Sequence, residues 1–352
     1  MKNRASNIEL LRLISMMMIM VLHFVGHTIN TNASILSTEG ALWNISKVLT
    51  ISATSIFVLI SGYFGIRFSF RKLLSLYLQC FIWGLLGYVL YVLCSDNPLK
   101  ISTLFGRLFA FTHNKMWFVD TYLELMFLAP LLNAAIKYFS KKKHLYFILL
   151  FAGVTLYMGY CQETGEDTWG TSLSHFLWLY MIARYINKYV DMAIIRCNRW
   201  KWLCGFFGSS AITFGLAMLD AGYSLPHCLW AYPYNSPWIT IAAISALLFV
   251  LSFTFESKIV NWFASSSLSC YLFQDGIYFG SLILYPVIGA WLLSLPMLER
   301  YALLFPLAIA LMISVILIDK LWGILLYKPI LTIYDKFYDK YVPQSLRNVF
   351  GS

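Results

Sequence analysis

The chain has 352 residues, 60% of them hydrophobic and only 12% charged, with a net charge of +10. So little charge over so much apolar surface excludes a water-soluble enzyme or binding module and describes an integral membrane protein. The apolar runs are continuous rather than alternating, which excludes a transmembrane barrel and leaves helices.

Windows long enough to cross a hydrocarbon layer of ~30 Å recur at 8–29, 42–65, 72–94, 115–137, 144–161, 172–190, 201–220, 237–256, 265–290 and 301–326. They predict an all-α, polytopic transmembrane bundle of about ten helices. A single membrane domain over residues 1–352 is expected, with the last helix ending near 326 and a short basic tail at 327–352. Cations fall in every second loop: Lys2 and Arg4, then Arg67, Arg71 and Lys72, then Lys137 and Lys141 to Lys143, then Arg184 to Lys201, then Lys258, then the tail. The loops between carry Glu39, then Glu163, Glu166 and Asp167, then Asp220, with Lys100, Arg107 and Lys115 as their few cations. Basic loops stay in the cytoplasm, so both termini are expected there. Topology and anionic lipid account for the charge, and nucleic acid is not an expected partner. The first apolar run is too long for a cleaved signal peptide and is expected to stay in the membrane.

That first run holds Arg12 and His23 among Met, Ile, Leu and Val. Eleven helical positions amount to ~16 Å of rise and only ~20° beyond three turns, so both side chains point the same way at different depths. A cation and an imidazole inside a span are costly unless they face a cavity or a partner. Arg67, Arg71 and Lys72 lie at the inner level of Arg12, where together they form a cationic mouth suited to phosphate. His27, one turn beyond His23, has metal-ligand spacing, but no further ligand motif lies at matching depth, and no metal is expected. The fourth helix opens on Trp117, Phe118, Asp120, Tyr122 and Glu124. Asp120 and Glu124 share a face and fall near the height of His23, where a carboxylate would orient the imidazole and stabilise its cation. The ninth helix brings serines at 265, 266, 267 and 269, read as packing residues, followed by Gln274 and Asp275 at a similar height. The aromatic residues of the 220–238 loop, Tyr232 and Tyr234 among them, have planes that can stack on sugar rings, and read first as an interfacial belt. The seven cysteines show no metal or redox spacing.

The lead Asn7-Ile8-Glu9-Leu10-Leu11-Arg12 with His23 resembles the first helix of the membrane-bound acyltransferase family 3. Ser61-Gly62-Tyr63-Phe64 with Phe70-Arg71-Lys72-Leu73, the fourth-helix set Trp117, Tyr122, Pro130 and Asn133, the stretch from Tyr180 to Asn187, and Ser267 to Leu272 extend the likeness over essentially the whole chain. Two positions depart: Gln274 stands where relatives usually have His, and Ala183 where they often have Gly. The resemblance implies an enzyme of a bacterial cytoplasmic membrane that takes an acyl group, most simply acetyl, from cytoplasmic acyl-coenzyme A to a hydroxyl of an extracytoplasmic or lipid-linked glycan. In that frame Arg12, Arg71 and Lys72 hold the coenzyme's phosphates, His23 is the base supported by Asp120 and Glu124, and Trp117, Tyr122, Gln274 and Asp275 contact substrate. No permanently bound cofactor is implied. Direct transfer and an acyl-imidazole intermediate both remain open. The competing reading is a transporter or flippase whose path is lined by Arg12, His23, Asp120 and Glu124.

Overall fold

The computed structural model describes residues 5–28, 34–113, 116–162, 167 and 169–342. Lys2, Arg4, Lys115, Glu163, Glu166 and Arg347, which entered the charge pattern above, lie outside the described residues. Every described element is helical. In chain order the α-helices are α1 (Ser6–His27), α2 (Thr38–Thr50), α3 (Ala53–Phe64), α4 (Phe70–Cys94), α5 (Ile101–Gly106), α6 (Ala110–His113), α7 (Trp117–Tyr138) and α8 (Lys141–Ala152). They continue with α9 (Leu173–Tyr189), α10 (Met192–Cys197), α11 (Arg199–Tyr223), α12 (Pro237–Leu251), α13 (Lys258–Ala264), α14 (Ser267–Gln274), α15 (Tyr285–Leu293), α16 (Met297–Trp322) and α17 (Lys328–Tyr341). By length and composition α1, the α2–α3 pair, α4, α7, α11 and the α16–α17 rod are each able to cross a membrane.

α1 is the axis of the bundle, touching α2, α3, α12, α13, α14, α15 and α16. Its amino-terminal turn is fixed by side chains rather than by a conventional cap. Asn7 Nδ2 donates to the carbonyls of Val250 (3.0 Å) and Phe253 (2.8 Å), satisfying acceptors at the end of α12. Ser6 Oγ accepts from the Ser257 backbone N–H. Two of the sequence windows are broken. The 42–65 window bends at Ile51–Ser52 into α2 and α3, and the 265–290 window is interrupted at Asp275 between α14 and a π-helical turn at Gly280–Leu284 that leads into α15. The second break depends on Gly280, because a Cβ there would lie 1.9 Å from the Gln274 carbonyl oxygen. Hydropathy registers neither break, since apolar residues continue across both.

The last helix also runs further than its apolar window. A π-helical turn at Gly323–Tyr327 joins α16 to α17, making one 45-residue rod from Met297 to Tyr341. Pro329 falls in the first turn after that π segment, where a missing N–H is tolerated. Arg71 pairs with Asp335 (2.9 Å) and fastens the extension to α4. Inside the bundle, Asp319 accepts from Trp83 Nε1 (3.2 Å), Ser269 Oγ (2.6 Å) and Tyr327 OH (3.2 Å). One buried carboxylate thus pins α4, α14 and α16 together, and Ser269 has the packing role read from sequence.

Candidate active site

Three adjoining cavities run along one face of α1, with Arg12 on the first two and Met16, Ile19 and His23 on the third. The outermost, of about 370 Å³, is a mouth bounded by Arg12, Arg67 and Lys72, with Ser61, Ser75, Gln79 and Tyr122 as its neutral polar groups. No carboxylate lines it among the described residues. The middle cavity, about 320 Å³, keeps Arg12, Ser61, Gln79 and Tyr122 as walls and adds Phe57, Phe118 and Ser267. The innermost is a chamber of about 30 Å³ between His23, Thr54, Trp117, Tyr234 and Tyr271. Phe57, Phe118 and Leu268 belong to both of the last two cavities and form the neck between them.

The mouth is shaped by the α3–α4 turn. Gly65 ends α3 with φ +77°, a conformation that favours glycine, and a Cβ there would press on the Arg184 guanidinium. Tyr180 OH donates to Asn133 Oδ1 (2.7 Å) and accepts from the Ile66 N–H (3.1 Å), while Asn133 Nδ2 donates to the Ile66 carbonyl (2.8 Å). Arg184 Nη1 donates to the Tyr63 carbonyl (3.3 Å). α3 and α9 approach so closely that a Cβ on Gly62 would lie 2.8 Å from Ala183 Cβ. Lys72 Nζ donates to the Arg67 carbonyl (2.8 Å), and Arg12 Nη1 is held by Glu9 (2.8 Å) one turn below. Arg67, not Arg71, shares the mouth with Lys72. Arg71 lies outside the lining with its charge engaged by Asp335. Sequence distance does not distinguish three cations around one helix start, and the Asp335 partner is 264 residues away.

The far chamber is closed by a loop that folds inward. Tyr234 stacks on Trp117 with centroids 5.5 Å apart and planes at 29°. It is held there because Tyr234 N–H bonds the Trp169 carbonyl (2.9 Å) and Asn235 Nδ2 donates to the Asp167 carbonyl (2.7 Å). Gly170, at φ +70°, lets this contact form, since a Cβ there would lie 2.3 Å from the Asn235 nitrogen. Tyr234 is therefore a wall of the chamber rather than part of an interfacial belt, which its position in an aromatic loop did not reveal. Trp117 and Tyr122 both line the path, and Tyr122 OH donates to Ser61 Oγ (3.2 Å).

His23 faces Tyr271 and Tyr285 at centroid distances of 6.5 and 6.3 Å, and His27 at 5.6 Å. His23 Nδ1 is buried without a hydrogen-bond partner. The carboxylate whose charge acts on His23 is Asp275, at the helix break, which also acts on Tyr234, Tyr271 and Tyr285. The structure does not bring Asp120 and Glu124 to His23. They stand ~200° around α7 from Phe118 and Tyr122, the residues that line the path. Asp120 faces Cys80 of α4, and Glu124 is exposed. Matching heights along two helices said nothing about azimuth. Gln274 is fully buried behind the break and lies outside all three linings. On the opposite side of His23, His27 is exposed and stacks on Tyr285 (4.9 Å), and Gly26 has open space around it.

Comparison with curated proteins and with solved structures finds no match. A family model does match, the acyltransferase domain of family 3, over residues 6–318. That span takes in α1, the mouth, the chamber and the Asp275 break. The chain belongs to acyltransferase family 3 and is a membrane acyltransferase.

Proposed function

We propose that this acyltransferase moves an acetyl group from cytoplasmic acetyl-coenzyme A to a hydroxyl of a glycan, free or lipid-linked, on the outer side of a bacterial cell membrane. The observation that carries the reading is a row of three cavities, each sharing lining residues with the next, from a mouth lined by Arg12, Arg67 and Lys72, with Glu9 pairing Arg12 from outside the lining, to an imidazole ~16 Å further along the same helix face. The three cations suit the coenzyme's phosphates. The pantetheine arm, comparable in reach to the Arg12–His23 separation, then passes the Phe57–Phe118 neck and presents its thioester to His23.

Transfer is direct in this scheme. The acceptor oxygen attacks the thioester carbonyl carbon while His23 takes the hydroxyl proton, a C–O bond forms and the C–S bond breaks. The departing coenzyme thiolate then recovers the proton from the imidazolium. A base placed within hydrogen-bond reach contributes ~10²–10⁴-fold to the rate. Asp275, whose charge acts on His23, stabilises the imidazolium that forms in the transfer. Asp120 and Glu124, turned away, have no part in the transfer. The acceptor approaches from the exposed Gly26–His27 end of α1, one turn beyond His23.

The test is a membrane assay with acetyl-labelled coenzyme A, scored by label in glycan and by mass spectrometry of surface glycans with and without the protein. The reading expects an acetyl increment that depends on His23. Glycans identical with and without the protein would reject it.

A further inference from the structure

We infer that the chamber beside His23 is an acyl gauge: Met16 and Ile19 along one wall and the stacked Trp117–Tyr234 pair at its end admit an acetyl group and exclude longer acyl chains. The inference rests on the proposed donor path and adds to it what selects the donor. A site needs ~10–15 Å³ to hold one water-sized group. The chamber's 30 Å³ therefore takes about two such groups, whereas the cavity below the neck offers about 320 Å³. A donor entering from the mouth passes its pantetheine through the larger space, so the atoms reaching the chamber are the last ones, the carbonyl oxygen and whatever follows it. With acetyl that is one methyl. Butyryl would bring two more methylenes against walls that have no slack.

Those walls are closely packed for identifiable reasons. Met16 and Ile19 belong to the buried face of α1, 2% and 6% exposed. Trp117 is stacked on Tyr234, and Tyr234 is fixed from behind by the Gly170–Asn235 contact. Forcing extra methylenes into packed surroundings is penalised, and one methylene more or less in a closed apolar pocket changes a rate ~10–200-fold.

The experiment compares acetyl-, propionyl- and butyryl-coenzyme A as donors for membranes carrying wild type, Ile19→Ala, Met16→Ala or Leu76→Ala. Leu76 lines the two larger cavities and not the chamber. The readout is the butyryl-to-acetyl rate ratio, which does not depend on how much of each variant folds. Wild type is expected to prefer acetyl by at least ~10-fold. Either chamber variant is expected to raise the ratio ~10-fold or more, and Leu76→Ala to leave it unchanged. Equal use of butyryl by wild type, an unmoved ratio in both chamber variants, or an equal shift from Leu76→Ala would overturn the gauge while leaving acyl transfer intact. Absence of transfer from every donor by wild type would overturn the acetyl-coenzyme A reading and the gauge with it.

Discussion

Asp275 and Asp120 are both acids that the sequence puts near the height of His23, and of the two it is Asp275 whose charge acts on it. Rise per residue is a property of the helix and can be read from spacing, so the depths of Arg12 and His23 were legible. The direction a side chain takes about its helix depends on which neighbours pack where, and a single sequence does not contain that. Asp275→Asn is expected to slow acetyl transfer, by less than the ~10²-fold minimum expected of losing the base itself, while Asp120→Asn and Glu124→Gln keep roughly wild-type rates. Initial-rate measurements on the three variants decide between the acids. At the mouth, the structure keeps Arg67 and Lys72 beside Arg12 and leaves Arg71, also expected there, outside the lining. Each charge-assisted contact to phosphate carries about 1.5–3 kcal/mol. Arg12→Ala should therefore raise the donor KM ~10–100-fold with a smaller change in kcat, and Arg71→Ala should leave the KM near wild type, as saturation curves in acetyl-coenzyme A would report.

At the scale of elements, hydropathy located the long helices and missed their interruptions. Both interruptions bear on His23: Thr54, just after the α2–α3 bend, lines the chamber with it, and Asp275, whose charge acts on it, occupies the α14 break. A broken helix ends in backbone groups without helical partners, which is how polar character comes to a depth that apolar windows describe as uniform. The signal for the second break is Gly280, whose hydrogen is all that fits against the Gln274 carbonyl. Gly280→Ala is expected to lower the melting temperature in detergent and to cost transfer activity with it. Asp319 holds the other side of α14, and Asp319→Ala would strand Trp83, Ser269 and Tyr327 as buried donors. At about 1–3 kcal/mol for each unpaired group, thermal unfolding should show a marked loss for Asp319→Ala and a smaller one for Ser269→Ala.

For the whole molecule, composition was sufficient to establish an all-helical membrane protein, and the α1 lead with His23 was sufficient to indicate its family. What composition could not show is that five helices contribute one stripe each to a single row of cavities. α1 gives Arg12, Met16, Ile19 and His23; α3 gives Thr54, Phe57 and Ser61; α4 gives Lys72, Ser75, Leu76 and Gln79; α7 gives Trp117, Phe118 and Tyr122; α14 gives Ser267, Leu268 and Tyr271. On this account the donor reaches His23 along that row of cavities and the acceptor reaches it from the Gly26–His27 end of α1. The most direct measurement is an experimentally determined structure of the protein bound to a non-transferable acetyl-coenzyme A analogue. The account predicts phosphates against Arg12, Arg67 and Lys72, the pantetheine arm between Phe57 and Phe118, and the acetyl group in the chamber with its carbonyl beside His23. A donor bound elsewhere, or one whose acyl end stops short of the neck with the chamber closed to it, would contradict the account.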